Sequence, residues 1–174
     1  MNDEQNRYRI GIVTVSDKGA AGLREDLSGP AIIECVSELG TIEAVEIVPD
    51  ESDMIAAVLC DLADRQKMDL ILTTGGTGFS PRDVTPEATM SVIDRQVPGI
   101  PEAMRAASLA LTNRAMLSRA AAGIRGSTLI INLPGSPKAV RECLAVALPV
   151  LPHALAILTG RDGECARDNS RKSN

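Results

Sequence analysis

The sequence has 174 residues, of which 44% are hydrophobic, and this length and composition suit one globular domain with a sizeable core. Its formal net charge of -5 argues against the broad basic face that binding to a nucleic-acid backbone requires. The only aromatic residues are Tyr8 and Phe79, which excludes a base-stacking platform, so we expect no nucleic-acid partner.

The cysteine and histidine positions argue against zinc chemistry. The four cysteines, which show no CxxC spacing, are Cys35, Cys60, Cys143 and Cys165, and the one histidine is His153. The first three cysteines lie in apolar, helix-like segments, which favours inert thiols. The polar amino terminus lacks the apolar core of a signal peptide, and we expect no apolar run to be long enough to span a bilayer. We therefore expect a cytoplasmic protein with no membrane partner.

The first half of the chain alternates strand and helix patterns. Runs of β-branched and apolar residues predict strands over Tyr8–Ser16, Ile42–Pro49 and Leu70–Thr74. Apolar residues at helical spacing predict helices over Ser28–Leu39 and Asp53–Gln66, the second capped by Ser52. This alternation is typical of right-handed βαβ units. We predict an α/β fold with three layers, in which a mostly parallel twisted sheet carries helices on both faces.

The second half continues with helices and a pair of extended segments. Thr85 can cap a helix that starts at Pro86 and reaches Ile93, and Val97–Pro101 separates it from an amphipathic stretch over Glu102–Leu111. Two extended segments then meet at Arg125-Gly126, and STLIINL is the stronger strand.

The carboxyl-terminal part is predicted to be one interrupted helix followed by a tail. The helix opens at Ser136-Pro137, and Pro149 and Pro152 should kink or break it before Gly160. Residues 161–174 are polar, without apolar periodicity, and are expected to be disordered. We therefore predict one domain over residues 1–160.

The stretch TTGGTGFSPRDVTPEAT, Thr73–Thr89, carries the strongest chemical signal. Ligands of open α/β sheets bind at the carboxyl ends of strands, where glycines let backbone amides approach phosphate oxygens. Thr74 and Thr77 add hydroxyl donors. The stretch matches neither GxxxxGK[ST] nor GxGxxG after a first strand, so the standard nucleotide-binding motifs do not apply. A plain chain reversal is the alternative interpretation.

Two aspartates near this stretch favour a magnesium-bound phosphate. Asp83 follows the glycines, and Asp50 directly follows the second predicted strand, on the same edge of the sheet. Magnesium commonly takes one or two protein carboxylates together with phosphate oxygens. Alternatively, Asp50 is a turn or capping residue, and Asp83 pairs with Arg82 or Arg95 at the surface.

The region contains no obvious nucleophile. It lacks a cysteine, a histidine or a Ser-His-Asp set, so covalent catalysis has no evident agent. A phosphate that attacks the α-phosphorus of a nucleotide needs none, because positioning and neutralisation of charge by a metal ion suffice.

Four long motifs follow one another along the chain: RIGIVTVSDKGAAGLREDLSGP, the glycine-rich stretch above, DRQVPGIPEAMR and AMLSRAAAGIRGSTLIINLPGSPKAV. Together they resemble the molybdopterin adenylyltransferase family, which includes MogA-type bacterial enzymes and the G domains of gephyrin and of plant molybdenum-insertion proteins. The resemblance runs from Arg9 to about Gly160. It implies a molybdopterin-binding fold and transfer of AMP from Mg-ATP to molybdopterin, with release of pyrophosphate.

The resemblance also implies roles for individual residues. Asp50 and Asp83 match the aspartates associated with catalysis and with Mg²⁺. A nucleotide phosphate loop, called the glycine loop below, consists of Thr74, Gly75, Gly76, Thr77 and Gly78. Positions that contact or lie close to molybdopterin are matched by Ser118, Asn132, Pro134, Gly135 and Ser136, and the edge of the pocket is matched by Ser16 and Asp17. Ser118 and Asn132 could instead only satisfy backbone groups, and Arg82, Arg119 and Lys138 could either neutralise pterin phosphate or be solvated.

Alternative functions stay open at this point. A MoaB-type sister protein would share the fold and most of the glycine loop, although PRDVTPEAT and PGSPKAV favour the adenylyltransferase. A non-catalytic molybdopterin carrier or scaffold belongs to another class, and loss of either aspartate would have favoured it. The resemblance further implies a homotrimer and suggests the molybdenum-insertion protein as a partner.

Overall fold

The computed structural model describes residues 7–161, and within them one six-stranded sheet is flanked by helices. The strands are β1 (Tyr8–Val15), β2 (Gly40–Val48), β3 (Leu70–Thr74), β4 (Arg95–Gln96), β5 (Ala122–Arg125) and β6 (Thr128–Leu133). The helices are α1 (Asp17–Ala20), α2 (Ser28–Val36), α3 (Ser52–Cys60), α4 (Thr85–Val92), α5 (Gly99–Leu109), α6 (Pro137–Ala147) and α7 (Leu151–Leu158). A π-helical turn, Asp61–Arg65, extends α3, and 3₁₀ turns occupy Asn113–Leu117 and Leu148–Val150.

The strand order is β2-β1-β3-β6-β5-β4. β1 pairs in parallel with β2 and β3, and β3 pairs in parallel with β6, whereas the short β4 and β5 form antiparallel pairs at one side. The predicted mostly parallel α/β sheet is therefore confirmed. Because the carboxyl ends of four parallel strands share one edge, the loops that follow β1, β2, β3 and β6 converge there.

Each face of the sheet has its own apolar core, as the predicted three layers require. Side chains alternate along β3, so that Leu70 and Leu72 pack on one face and Ile71 packs on the other. Helices α2, α5, α6 and α7 cover the first face, and α3 and α4 cover the second. The sheet is thus buried on both faces, and its loops are left to form binding surfaces.

Two predicted helix caps are wrong. Glu51, rather than Ser52, is the N-cap of α3, and its side chain makes no capping hydrogen bond. Val84 is the N-cap of α4, while the hydroxyl of Thr85 donates to the carbonyl oxygen of Gly75 at 2.9 Å. A long-range hydrogen bond has replaced the local cap, and it ties the start of α4 to the glycine loop.

The predicted break of the last helix is confirmed, since α6 and α7 are separated by the 3₁₀ turn that contains Pro149. The expectation about membrane spans needs correction, because Pro137–Leu158 is long and apolar enough to cross a membrane, with a mean hydropathy of 1.5. In the structure, Val140, Leu144 and Leu151 of this segment are fully buried against the sheet. The segment therefore contributes to the core of this fold.

The beginning of β1 and the end of α7 lie side by side. The Tyr8 hydroxyl donates to the carbonyl oxygen of Pro152 at 3.1 Å, and the guanidinium of Arg161 lies 4.9 Å from the centre of the Tyr8 ring. Cys165 and the predicted tail after Arg161 lie outside the described residues, so the domain boundary at residue 160 stays a prediction.

Candidate functional site

The backbone of the glycine loop adopts conformations that require glycine at two successive positions. Gly75 has φ of 93° and Gly76 has φ of 63°. A Cβ atom on Gly75 would lie 2.3 Å from the carbonyl oxygen of Val15, and one on Gly76 would lie 2.3 Å from Oγ1 of Thr85. The chain therefore turns sharply after β3 while it stays pressed against β1 and α4.

Hydrogen bonds join the glycine loop to the loop that follows β6. Thr74 Oγ1 donates to the carbonyl oxygen of Pro134 at 2.7 Å, and the Gly75 amide donates to that of Leu133 at 3.3 Å. A Cβ atom on Gly135 would lie only 3.4 Å from Cα of Gly75. Thr74 thus uses its hydroxyl to hold the two loops together, and we expect the loop to be preorganised.

Arg119 fixes the far side of the glycine loop from a different segment. Its backbone amide donates to the carbonyl oxygen of Thr77 at 3.0 Å. Its Nε donates to the carbonyl of Gly78 at 2.7 Å, its Nη2 donates to the carbonyl of Asp83 at 2.6 Å, and its Nη1 pairs with Glu87. The guanidinium is therefore a structural clamp on the loop in this conformation.

A cavity of about 280 Å³ opens at the carboxyl edge of the sheet, on one side of the glycine loop. It is called the acidic cavity below. Of the predicted site residues, its lining contains Ser16, Asp50, Thr74, Gly75, Gly76, Asp83 and Gly135. Loops from four strands thus meet at one surface, as the parallel topology predicts.

Asp50, which lines the acidic cavity, exchanges hydrogen bonds with Asp17, which lines neither cavity. The Asp17 amide donates to Asp50 Oδ2 at 2.8 Å, and the Asp50 amide donates to Asp17 Oδ1 at 3.0 Å. A Cβ atom on Gly76 would lie 3.2 Å from Asp50 Oδ1, so this second oxygen faces the glycine loop. Asp50 therefore binds the amide of a distant segment and does not cap the helix that follows it, and it also presents an oxygen to the cavity.

Asp83 lies beside the same loop at Gly78. Its Oδ2 accepts from the amide of Ser80 at 3.0 Å and would lie 2.9 Å from a Cβ atom on Gly78. The alternative pairing with Arg82 is not what the structure shows, because Arg82 pairs with Asp17 and Glu51. Glycine at positions 76 and 78 thus keeps space open beside both carboxylates.

The charges around Asp50 oppose its ionisation. Partial burial raises the pKa of Asp50, and the negative charges of Asp17 and Asp83 add to this effect, while the Asp17 amide and Arg82 act against it. The pKa of Asp17 is lowered, chiefly because Arg82 donates hydrogen bonds to its carboxylate. Of Asp17 and Asp50, Asp50 has the negative charge that is less compensated by other groups of the protein.

The acidic cavity fits a magnesium ion that is shared with a substrate. Residues 7–161 contain no cluster of three or more Asp, Glu, His or Cys side chains that could hold a metal by themselves. Asp50 and Asp83 nevertheless line one cavity, beside space that only glycine leaves free. Magnesium is typically bound by one or two carboxylates plus substrate phosphates, and this donor set matches that pattern.

A second cavity of about 270 Å³ lies beyond the glycine loop and is mostly apolar. It is called the apolar cavity below. The predicted residues in its lining are Thr77, Gly78, Ser118 and Pro134, while residues that sequence reasoning did not select include Met104, Arg105, Ser108, Arg114 and Cys143. Thr74, Gly75 and Gly76 line the acidic cavity, and Thr77 and Gly78 line the apolar one, so the glycine loop separates the two.

Asn132 and Ser136 lie outside the linings of both cavities. Asn132 is fully buried, where its amide donates to the hydroxyls of Thr73 and Thr89 and its oxygen accepts from the amide of Ala121. Ser136 caps α6 by accepting from the Ala139 amide at 3.2 Å. Direct contact of either residue with molybdopterin stays a prediction, and this geometry gives both a structural role.

Sequence reasoning missed the wall of the acidic cavity that lies before α2. That wall is formed by Thr14, Arg24, Glu25, Asp26, Leu27 and Ser28. Asp26 accepts from the amides of Ser28 and Gly29, both at 3.0 Å, and from Thr14 Oγ1 at 2.7 Å. An aspartate just before Ser-Gly-Pro is a recognisable helix-entry signal that could have identified this residue.

The described thiols are not positioned as nucleophiles. Cys35, Cys60 and Cys143 are free, and burial raises the pKa of the Cys35 and Cys143 thiols. This agrees with the prediction of inert thiols for Cys35 and Cys143, and the prediction for Cys60 stays untested.

This chain is similar to one described protein family and to several named proteins. The family model described as a probable molybdopterin binding domain matches residues 11–153. A molybdopterin adenylyltransferase of Helicobacter pylori is 47% identical over 154 residues, which cover 87% of this chain and 88% of that protein. Gephyrin of Dictyostelium discoideum is 42% identical over 169 residues, which cover 91% of this chain but 23% of that protein.

A solved structure supports the same relationship. The molybdopterin biosynthesis enzyme MoaB of Thermus thermophilus matches with a TM-score of 0.84 and 56% identity, covering 88% of this chain and 97% of that one. The fold, the matched residues and these identities lead to one conclusion. The chain belongs to the family of probable molybdopterin binding domains.

Proposed function

We propose that the protein is a molybdopterin adenylyltransferase of molybdenum cofactor biosynthesis. An oxygen of the terminal phosphate of molybdopterin attacks the α-phosphorus of ATP, and the bond from that phosphorus to the pyrophosphate oxygen breaks. Adenylylated molybdopterin and pyrophosphate are the products. The observation that carries the proposal is the pair of cavities separated by the glycine loop, since transfer between two substrates needs two sites that meet at one point.

The two cavities differ in the chemistry they offer. The acidic cavity suits a magnesium-bound triphosphate, because the glycine loop provides backbone donors and Asp50 and Asp83 provide carboxylates. The apolar cavity suits the flat pterin ring, and Ser118, Arg105 and Arg114 at its lining offer donors for polar groups. We therefore assign ATP to the acidic cavity and molybdopterin to the apolar one.

Asp50 and Asp83 would hold the magnesium ion, which would neutralise charge on the phosphates when it is bound. The remaining work of this chain is positioning. Hydrogen bonds from Thr74 and Thr85 hold the glycine loop, and Arg119 holds its far end. A preorganised loop lowers the entropic cost of bringing the two phosphates together.

The decisive experiment mixes purified protein with Mg-ATP and molybdopterin, and it measures pyrophosphate together with the mass of the pterin product. Pyrophosphate release that requires both magnesium and molybdopterin supports the adenylyltransferase activity. Asp83→Asn should bind molybdopterin normally and lose about three orders of magnitude in rate, while Asp64→Asn, at a remote ion pair with Arg125, should keep its rate. Molybdopterin binding without release would instead favour a carrier or scaffold, and a requirement for neither would refute the assignment.

The family resemblance further leads us to propose a cytoplasmic homotrimer that hands its product to a molybdenum-insertion protein. Light scattering on the purified protein tests the trimer, and a monomer at working concentration would overturn it. Transfer of labelled product to that insertion protein, in the presence of excess free-pterin scavenger, tests the handover.

A further inference from the structure

Arg82 connects the two segments that carry Asp50 and Asp83. Its Nε donates to Asp17 Oδ2 at 3.0 Å, and its Nη2 donates to Asp17 Oδ1 at 2.9 Å. The same Nη2 lies 2.8 Å from an oxygen of Glu51. One guanidinium thus binds one carboxylate through two nitrogens and a second carboxylate through one of them.

Both partners of Arg82 adjoin Asp50. Asp17 exchanges two backbone-to-carboxylate hydrogen bonds with Asp50, and Glu51 follows Asp50 in the chain. Arg82 itself precedes Asp83, in a segment between Gly78 and α4 that has no helix or strand. A continuous path of short contacts therefore links one acidic residue of the cavity to the other.

This path is poorly suited to stabilising the fold as a whole. The side chains of Arg82, Asp17 and Glu51 are 50%, 45% and 53% exposed, and exposed ion pairs contribute little to stability. The fork of Arg82 nevertheless fixes geometry, because two parallel N–H···O bonds define an orientation that a single bond does not. Its effect should therefore be local, on where the segment with Asp83 lies relative to Asp50.

We propose that Arg82 is a positioning residue that sets the separation of Asp50 and Asp83 through Asp17 and Glu51. The inference rests on the adenylyl transfer proposed above. In this role Arg82 acts on protein carboxylates, since its Nε and Nη2 donate to Asp17 and its Nη2 also contacts Glu51. What it supplies is a fixed distance between two carboxylates that would otherwise repel each other.

Arg82→Lys tests the proposal, because lysine keeps the charge and loses the fork. We expect kcat to fall by about 10- to 100-fold, with the KM for molybdopterin unchanged within about twofold. Asp17→Asn should cause a similar loss, and the double variant should be little worse than either single one, because both break the same path. Losses that multiply, or a raised KM for ATP with unchanged kcat, would overturn the positioning role.

Arg125→Lys is the control. Arg125 also binds one carboxylate through Nε and Nη2, that of Asp64, and it lines neither cavity. Its Nη1 also donates to the carbonyl oxygen of Val92 at 2.7 Å, so Arg125→Lys should lose at least as much thermal stability as Arg82→Lys and should keep wild-type kcat. Equal loss of rate in both variants would make the effect one of general stability.

A second measurement requires no turnover. Binding of Mn²⁺ as a probe, in the presence of α,β-methylene-ATP, should weaken by about tenfold in Arg82→Lys and should not change in Arg125→Lys. This readout reports on Arg82 even if the wild-type protein transfers no AMP, so failure of the positioning role and failure of the proposed function are separable. Unchanged Mn²⁺ affinity in Arg82→Lys would refute the inference.

Discussion

Arg119 donates a hydrogen bond from Nε to the carbonyl oxygen of Gly78 at 2.7 Å. Gly78 ends the glycine loop, and Arg119 follows Ser118 of the apolar cavity. This bond therefore holds two parts of the apolar cavity together, and the bond from Nη2 to the carbonyl oxygen of Asp83 at 2.6 Å reaches a residue that lines the acidic cavity. A change at Arg119 should affect the binding of both substrates, whereas the sequence predicted either neutralisation of pterin phosphate or a solvated surface charge at this residue.

Arg119→Lys should lower kcat by about 10- to 100-fold, because lysine cannot reach the carbonyls of Gly78 and Asp83 together. The free energy of unfolding should fall by about 1 to 2 kcal/mol, as two hydrogen bonds to the backbone are weakened. Steady-state kinetics and urea titration check both values. The control is Arg141→Lys, at the exposed ion pair with Glu34, and it should change neither kcat nor the free energy of unfolding. A loss of stability with unchanged kcat in Arg119→Lys would contradict a role of Arg119 in the geometry of the loop.

Gly76→Ala should abolish most of the activity, with a decrease of at least about 100-fold, because the new Cβ would meet Oγ1 of Thr85 and narrow the space beside Asp50. Gly126→Ala is a matched control, since Gly126 has φ of 55° and a Cβ atom there would meet nothing within 4 Å. Both variants carry the same left-handed strain of about 1 to 2 kcal/mol. Thermal melts should show that strain in both, and loss of turnover should appear in Gly76→Ala alone.

Ser118→Ala should raise the KM for molybdopterin by about tenfold and leave the KM for ATP unchanged, because Ser118 lines the apolar cavity. Ser28→Ala should have the opposite pattern, since Ser28 lines the acidic cavity. That variant should raise the KM for ATP and leave the KM for molybdopterin unchanged. Equal losses for both substrates in both variants would mean that the two cavities do not hold separate substrates.

Asp26→Asn should destabilise the protein at pH 7 and have no effect in acid. Burial opposes ionisation of Asp26, but hydrogen bonds from Gly29, Thr14 and Ser28 outweigh it, and the pKa lies below its ordinary value of 3.8. A carboxyl whose pKa is lowered by folding stabilises the protein above its unfolded pKa, and this stabilisation is lost as pH falls through the folded pKa.

Urea unfolding at pH 7, 5 and 3 should show a deficit of about 1 kcal/mol in Asp26→Asn, a small value because Asp26 is partly exposed, that shrinks toward the lowest pH. A deficit that does not depend on pH would assign the effect to the shape of the side chain and not to its charge.

The features that the sequence could predict are those governed by local pattern. Runs of β-branched and apolar residues located β1, β2 and β3, and the order of these elements then predicted that Asp50, Thr74 and Asp83 lie at one edge of the sheet. Features that depend on distant contacts were missed. Threonine is a residue type that often caps helices, but the hydroxyl of Thr85 donates to the carbonyl oxygen of Gly75, ten positions away in the chain.

Asn132 illustrates the same limit at the level of a site residue. The motif around it favours a ligand contact, while the structure surrounds its amide with Thr73, Thr89 and the backbone of Ala121. A buried amide whose hydrogen bonds are satisfied positions β6 and the loop after it, because losing one partner leaves a polar group unpaired. No sequence pattern distinguishes an asparagine that holds a loop from one that touches a substrate.

The contact between Tyr8 and Arg161 has a consequence for how this fold can be combined with others. Because Arg161 follows α7 and lies against the Tyr8 ring, β1 starts and α7 ends at neighbouring points, and the parallel strands run from there toward the cavities at their carboxyl edge. A further polypeptide joined at either point would leave the sheet on the side away from the acidic cavity. Such a unit can be built into a larger protein as a module, with its substrate sites still open to solution.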